Sequence, residues 1–106
     1  MSNHMTVLMT VANEEEGVAI AKKLVEEGLC ACVNMVPGIR SIYRWEGKIC
    51  DESEVMMVAK TLSSLAPVLV KRVKELHSYD VPEVIAIPII KGSEDYLAWL
   101  RDSTSQ

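Results

Sequence analysis

No run in this 106-residue chain approaches the roughly 20 consecutive apolar residues that a membrane-spanning helix needs. The opening MSNHM lacks the basic and apolar regions of a secretory signal. A basic stripe is missing too. Formal net charge is −4 and the pI about 5.1, which argues against a nucleic-acid partner, since phosphate binding needs clustered Lys and Arg. Lys71, Arg72 and Lys74 fall on one predicted helix, as the solvated face of an amphipathic element. Cysteine is scarce and odd in number. Cys30, Cys32 and Cys50 offer no C-x-x-C spacing, and without a signal peptide they point to a reducing, cytoplasmic compartment rather than a disulfide framework. P-loop, G-x-S-x-G and H-E-x-x-H motifs are all absent, so no enzyme class is indicated. No linker, repeat or low-complexity segment divides the chain, which is one domain's worth.

What is present suits a packed core: 49% hydrophobic and 25% charged residues. The chain is organised around Cys32 to Thr61, two long alternating runs joined by Glu46-Gly47-Lys48. The first run, Cys32 to Trp45, extends roughly 40 Å at about 3.3 Å per residue, far beyond the usual strand of about five or six residues. Two such strands outrun the cover that one small domain supplies, so the excess length is expected to pair with other copies of the chain. Odd positions carry Val33, Met35, Ile39, Tyr43 and Trp45, then Ile49, Val55, Met57 and Ala59. With Trp45 facing Ile49 across a three-residue loop, the odd faces coincide. Arg40 then opposes Glu54, Asn34 opposes Lys60 and Cys50 opposes Arg44. Pro37-Gly38 interrupts the first run and belongs on an edge strand or at a bulge.

The remaining chain supplies elements on either side. Met5 to Val11 reads as a buried first strand. Asn13 caps a helix with Glu16 at its third position, with Ile20, Ala21, Leu24 and Val25 as its buried stripe, and Gly28 stops it. After the hairpin, Ser63 or Ser64 caps a second helix that tolerates Pro67 near its first turn. Leu65, Leu69, Val73 and Leu76 form its apolar stripe, and it ends near His77-Ser78-Tyr79-Asp80. Pro82 to Ile89 is a strand that Pro88 marks as an edge. Gly92-Ser93 opens a last short helix with Tyr96, Leu97, Trp99 and Leu100 on its apolar side. The fold class is α+β, a ferredoxin-like β-α-β-β-α-β with a C-terminal helix. Right-handed crossovers put the first and third strands in the centre. The expected domain spans 5–102, with 1–4 a disordered extension and 103–106 frayed.

These pieces resemble a known family. Ala31-Cys32-Val33-Asn34 with Pro37-Gly38, Ser41 through Ile49, Lys60-Thr61, His77 through Glu83, Pro88-Ile89 and Tyr96-Leu97-Ala98-Trp99 together are similar to the CutA family of divalent-cation-tolerance proteins, over about Thr6 to Leu100. The resemblance implies a ferredoxin-like subunit in a tight homotrimer, similar in architecture to PII signalling proteins, with a role in tolerance of copper and other divalent metals. It also implies copper ligands at a Cys ending the first strand and at a His pair before the motif Tyr. Met9 and Leu76-His77 stand at those positions here, so His77 and Met9 are the metal candidates, a soft pair suited to Cu(I).

Two roles are open to His77: completing the helix dipole, or facing a cleft as a ligand. Lys60, Tyr79 and Glu83 are candidates for that cleft, with Lys60 pairing Glu83 or receiving an anion. Tyr43 and Trp45 are expected to anchor the trimer interface. Two functions of different class follow: a non-enzymatic metal-tolerance trimer, or a PII-like sensor of a small anion or nucleotide that reports to a protein partner.

Overall fold

The computed structural model describes residues 3–104. Strand β1 (His4–Val11) leads to helix α1 (Glu14–Glu26), the long strands β2 (Cys32–Trp45) and β3 (Lys48–Leu62), helix α2 (Ala66–Leu76), strand β4 (Val84–Pro88) and helix α3 (Glu94–Asp102). The four strands form one antiparallel sheet in the order β2-β3-β1-β4. The expected topology therefore holds, with β1 and β3 central and the proline-bearing strands at the edges. His4 lies in β1 opposite Leu62, which shortens the expected N-terminal extension; residues 1 and 2 lie outside the described residues. At the other end Thr104 is buried and its hydroxyl donates to the Leu100 and Arg101 carbonyls, while residues 105 and 106 lie outside the described residues.

Alternation sorts the sheet into two faces. Val7, Met9 and Val11 of β1 join Val55, Met57 and Ala59 of β3 beneath Ile20 and Leu24 of α1 and Leu69 and Val73 of α2. Val25 of the expected α1 stripe is instead exposed. Helix α1 seats close to the sheet at Gly17, where an added Cβ would stand 2.8 Å from the Met35 methyl and 3.1 Å from Val11. Asn13 caps α1 by accepting from the Glu16 N–H at 2.8 Å. The expected Ser cap on α2 is absent: Leu65 occupies the N-cap with no side-chain bond, and Pro67 sits in the first turn. On α3 only Leu100 is fully buried. Tyr96 and Trp99 are exposed and stack on each other at 5.5 Å.

The hairpin register differs from the expected one. The turn holds two residues, Glu46 and Gly47, both at positive φ (50° and 78°), so Trp45 opposes Lys48. Such a turn matches the right-handed twist of the strands, whereas the three-residue loop does not occur. Arg40 accordingly opposes Ser53, and Cys50 opposes Tyr43. Nearer the core, Pro37 and Gly38 span what Val55 alone spans on β3. Gly38 takes φ 73° in this bulge. The extra residue restores the parity: Met35 opposes Met57 and Val33 opposes Ala59, while Asn34 opposes Val58 rather than Lys60.

Cys30, Cys32 and Cys50 are free. Thiol counting under denaturing, non-reducing conditions should return three per chain, and two missing thiols without an intermolecular crosslink would contradict the hairpin. In the folded protein Cys30 should alkylate last, because burial pushes its thiol up to about 12 and the thiolate is the nucleophile.

Candidate functional site

The distal hairpin extends past the helices, and the segment after α2 folds back toward it. Between them lies a groove of about 990 Å³. Glu52 and Glu54 of β3 stand on its hairpin wall beside Tyr43 and Trp45, and Tyr79, Asp80 and Glu83 come from the opposite side. Ile39, Met56 and Val81 give it an apolar lining. Glu54 is only 6% exposed.

Two tyrosines hold the carboxylates in place. Tyr79 Oη donates to Glu54 Oε2 at 2.8 Å, and Tyr43 Oη donates to Glu52 Oε1. Burial and the Glu54 carboxylate raise the Tyr79 hydroxyl well above the ordinary tyrosine value, and the bond to Glu52 raises that of Tyr43. Both therefore stay protonated donors at neutral pH. Arg40 also lines the groove, but its guanidinium is engaged by Asp51 in a two-bond pair at 2.9 and 2.7 Å. Among the described residues, Asp80 and Glu83 make no side-chain hydrogen bond or ion pair.

His77 anchors the far wall from behind. Its side chain is 0% exposed. Nε2–H donates to the Thr10 carbonyl at 2.8 Å, and Nδ1 accepts the Tyr79 N–H at 3.0 Å. That tautomer is assigned by the partners, a carbonyl that only accepts and an amide that only donates. Glu16 completes the brace by accepting both the Ser78 N–H and hydroxyl at 2.9 Å. The wall is thus tied to β1 and to the first turn of α1.

The residues singled out from the sequence part company here. Tyr79 and Glu83 share the groove with Tyr43 and Trp45. Lys60 does not: it opposes Thr6 and Cys32 near the other end of the sheet, where its ammonium donates to Asn34 Oδ1. It forms no pair with Glu83. Met9 is fully buried in the core, and both nitrogens of His77 are spent on hydrogen bonds. Within one chain this pair does not fit a soft copper site, because Met9 is sealed in the core and neither His77 nitrogen is free. No group of three His, Cys, Asp or Glu side chains among the described residues converges to hold a metal ion. Glu52, Glu54 and Asp80 were not singled out beforehand. The available signal was two glutamates two apart on a strand that is apolar on its other face.

Comparison with known proteins places this architecture. The family model described as CutA1 divalent ion tolerance protein matches residues 5–103. The chain belongs to the CutA1 family. It is 52% identical to the divalent-cation tolerance protein CutA of Thermus thermophilus over 98 residues, covering 92% of this chain and 95% of that protein. It is 51% identical to the chloroplastic CutA of Arabidopsis thaliana over 94% of this chain but 55% of that longer protein. The crystal structure of CutA1 from Oryza sativa superposes with a TM-score of 0.96 at 47% identity, covering 99% of this chain and 96% of that one. The family is named for tolerance of divalent cations and not for a catalysed reaction. No helix among the described residues is long and apolar enough to cross a membrane.

Proposed function

We propose that the chain acts without catalysis, as a cytoplasmic homotrimer, in tolerance of divalent metals, copper among them. Cations are met weakly at the groove, which borders the subunit boundary. The observation that carries this is the charge of the groove: Glu52, Glu54, Asp80 and Glu83 line it against one arginine already paired to Asp51. Hard carboxylate oxygens attract divalent cations of many kinds with little selectivity. Weak binding is expected because these carboxylates do not converge on one point. The same charge disfavours the alternative of a PII-like anion or nucleotide sensor, and Lys60, the residue suited to an anion, stands elsewhere.

Calorimetric titration of the assembled protein with Mn²⁺, Zn²⁺ and Cu²⁺ tests this. Binding should be weak, salt-sensitive and reduced in a Glu52→Gln/Glu83→Gln variant. Tight binding of copper alone, unaffected by that variant, would move the metal site away from the groove.

A further inference from the structure

We propose that His77 is a proton-operated latch on the segment that follows α2: protonation exchanges its bond to the Tyr79 N–H for one to the Glu16 carboxylate. The latch lies wholly inside one chain. The His77 side chain is already 0% exposed there, so a partner subunit cannot bury it further, and no metal takes part. Its bonds suit only the neutral ring. Nε2–H donates to the Thr10 carbonyl at 2.8 Å, and Nδ1 accepts the Tyr79 N–H at 3.0 Å. An imidazolium carries a donor on both nitrogens and accepts nothing. The Thr10 bond survives protonation. The Tyr79 bond does not, because two N–H donors would then point at one another.

An acceptor for the new donor is already in place. Glu16 Oε2 stands 3.6 Å from Nδ1, and a closure of less than about 1 Å brings it to the length of a charge-assisted bond. Glu16 is fixed near that position by Ser78, whose N–H and hydroxyl both donate to its carboxylate at 2.9 Å. Among the described residues it is the one carboxylate within ion-pair distance of the ring. The other surroundings offer no rival. Strand β1 contributes the uncharged Thr10, β4 begins at the uncharged Val84, and α2 carries Lys74 in its last turn. The Tyr79 ring packs at 4.7 Å, and its hydroxyl is given to Glu54 of β3. Asp80 and Glu83 follow in the same segment and are exposed. Tyr79 is only half-buried, so water can take up the N–H that the ring releases. Acid thus frees the Tyr79 backbone while Ser78 stays tied to Glu16, and the tyrosine that fixes Glu54 loosens.

The test is NMR of the assembled protein between about pH 8 and 5, the interval in which histidines change charge. Imidazole nitrogen shifts report the ring, and amide-exchange protection factors report Tyr79 and, as a core control, Leu69. At the upper end the ring should be the Nε2–H tautomer with the Tyr79 N–H protected. As the ring charges, Tyr79 protection should fall at least about tenfold, the scale of one lost hydrogen bond, with Leu69 unchanged. Glu16→Gln keeps the shape and removes the anion, so the loss should move to lower pH by roughly one unit or more. In His77→Gln, Tyr79 protection should no longer respond to pH; should that variant not fold, the Glu16→Gln comparison decides. Constant Tyr79 protection while the ring charges, a ring still neutral at the lower end, or an unmoved transition in Glu16→Gln would each overturn the latch. Leu69 protection falling in step with Tyr79 would overturn it too, since that is acid unfolding of the whole subunit.

Discussion

Sedimentation at low micromolar concentration should give one folded species of three times the 11.8 kDa chain mass. The reason is the surface that a single chain leaves bare. The sheet carries both helices α1 and α2 on one face, and the opposite face shows Val36, Ile85 and Ile87 to solvent. Ile42 and Ile49 on the distal hairpin are 65% and 64% exposed, and Trp45 is 45% exposed. Both sheet edges are strands, β2 of 14 residues and β4 of five, and an uncovered apolar edge invites pairing. Pairing β2 of one copy with β4 of the next would be a head-to-tail contact, which can close into a ring. Burying the hairpins should raise each interface above about 2,000 Å², the range of obligate complexes. Dissociation should then coincide with unfolding. A folded 11.8 kDa species would falsify the trimer and the role given to the hairpin.

Replacing His77 with alanine should cost about 2–4 kcal/mol in chemical denaturation, because a buried carbonyl and a half-buried N–H each lose their partner, at about 1–3 kcal/mol for a fully buried group and less for the half-buried one. The Thr10 carbonyl and the Tyr79 N–H would be left without the ring, and the ring's 4.7 Å packing on Tyr79 would go with it. A residue that only completes a helix dipole, the simpler role open from the sequence, would cost about 1 kcal/mol or less. A loss that small would return His77 to that role. Cation binding should be unchanged in His77→Ala wherever the protein remains assembled, since the imidazole has no free nitrogen to offer. Loss of copper binding with the groove carboxylates intact would restore His77 as a ligand.

Much of this molecule is legible from its residues alone. Hydrophobic periodicity gave the order of elements, Asn13 and Gly28 bounded α1, and Pro37 and Pro88 identified the edge strands before any contact was known. These signals are local, so they survive without knowledge of the fold. The short motifs from Ala31 to Trp99 were enough to suggest the family. The hairpin register was not recoverable in the same way. A two-residue turn shifts every pair by one, and the bulge at Pro37-Gly38 shifts it by one more. Near the core the two shifts leave the odd faces together, so the alternation there is satisfied by either register. Only Glu46 adopting positive φ beside Gly47 reveals the difference at the tip.

The groove belongs to the tertiary structure entirely. His77 finds its acceptor 67 residues away in Thr10, Tyr79 finds Glu54 25 residues away, and Ser78 finds Glu16 at a distance of 62. No spacing rule links such residues, because their proximity depends on how α2 packs across the sheet and turns its last residues over the end of β1. The sequence determined which side chains were available; the packing decided that His77 would brace a wall and that the carboxylates of β3 would face it.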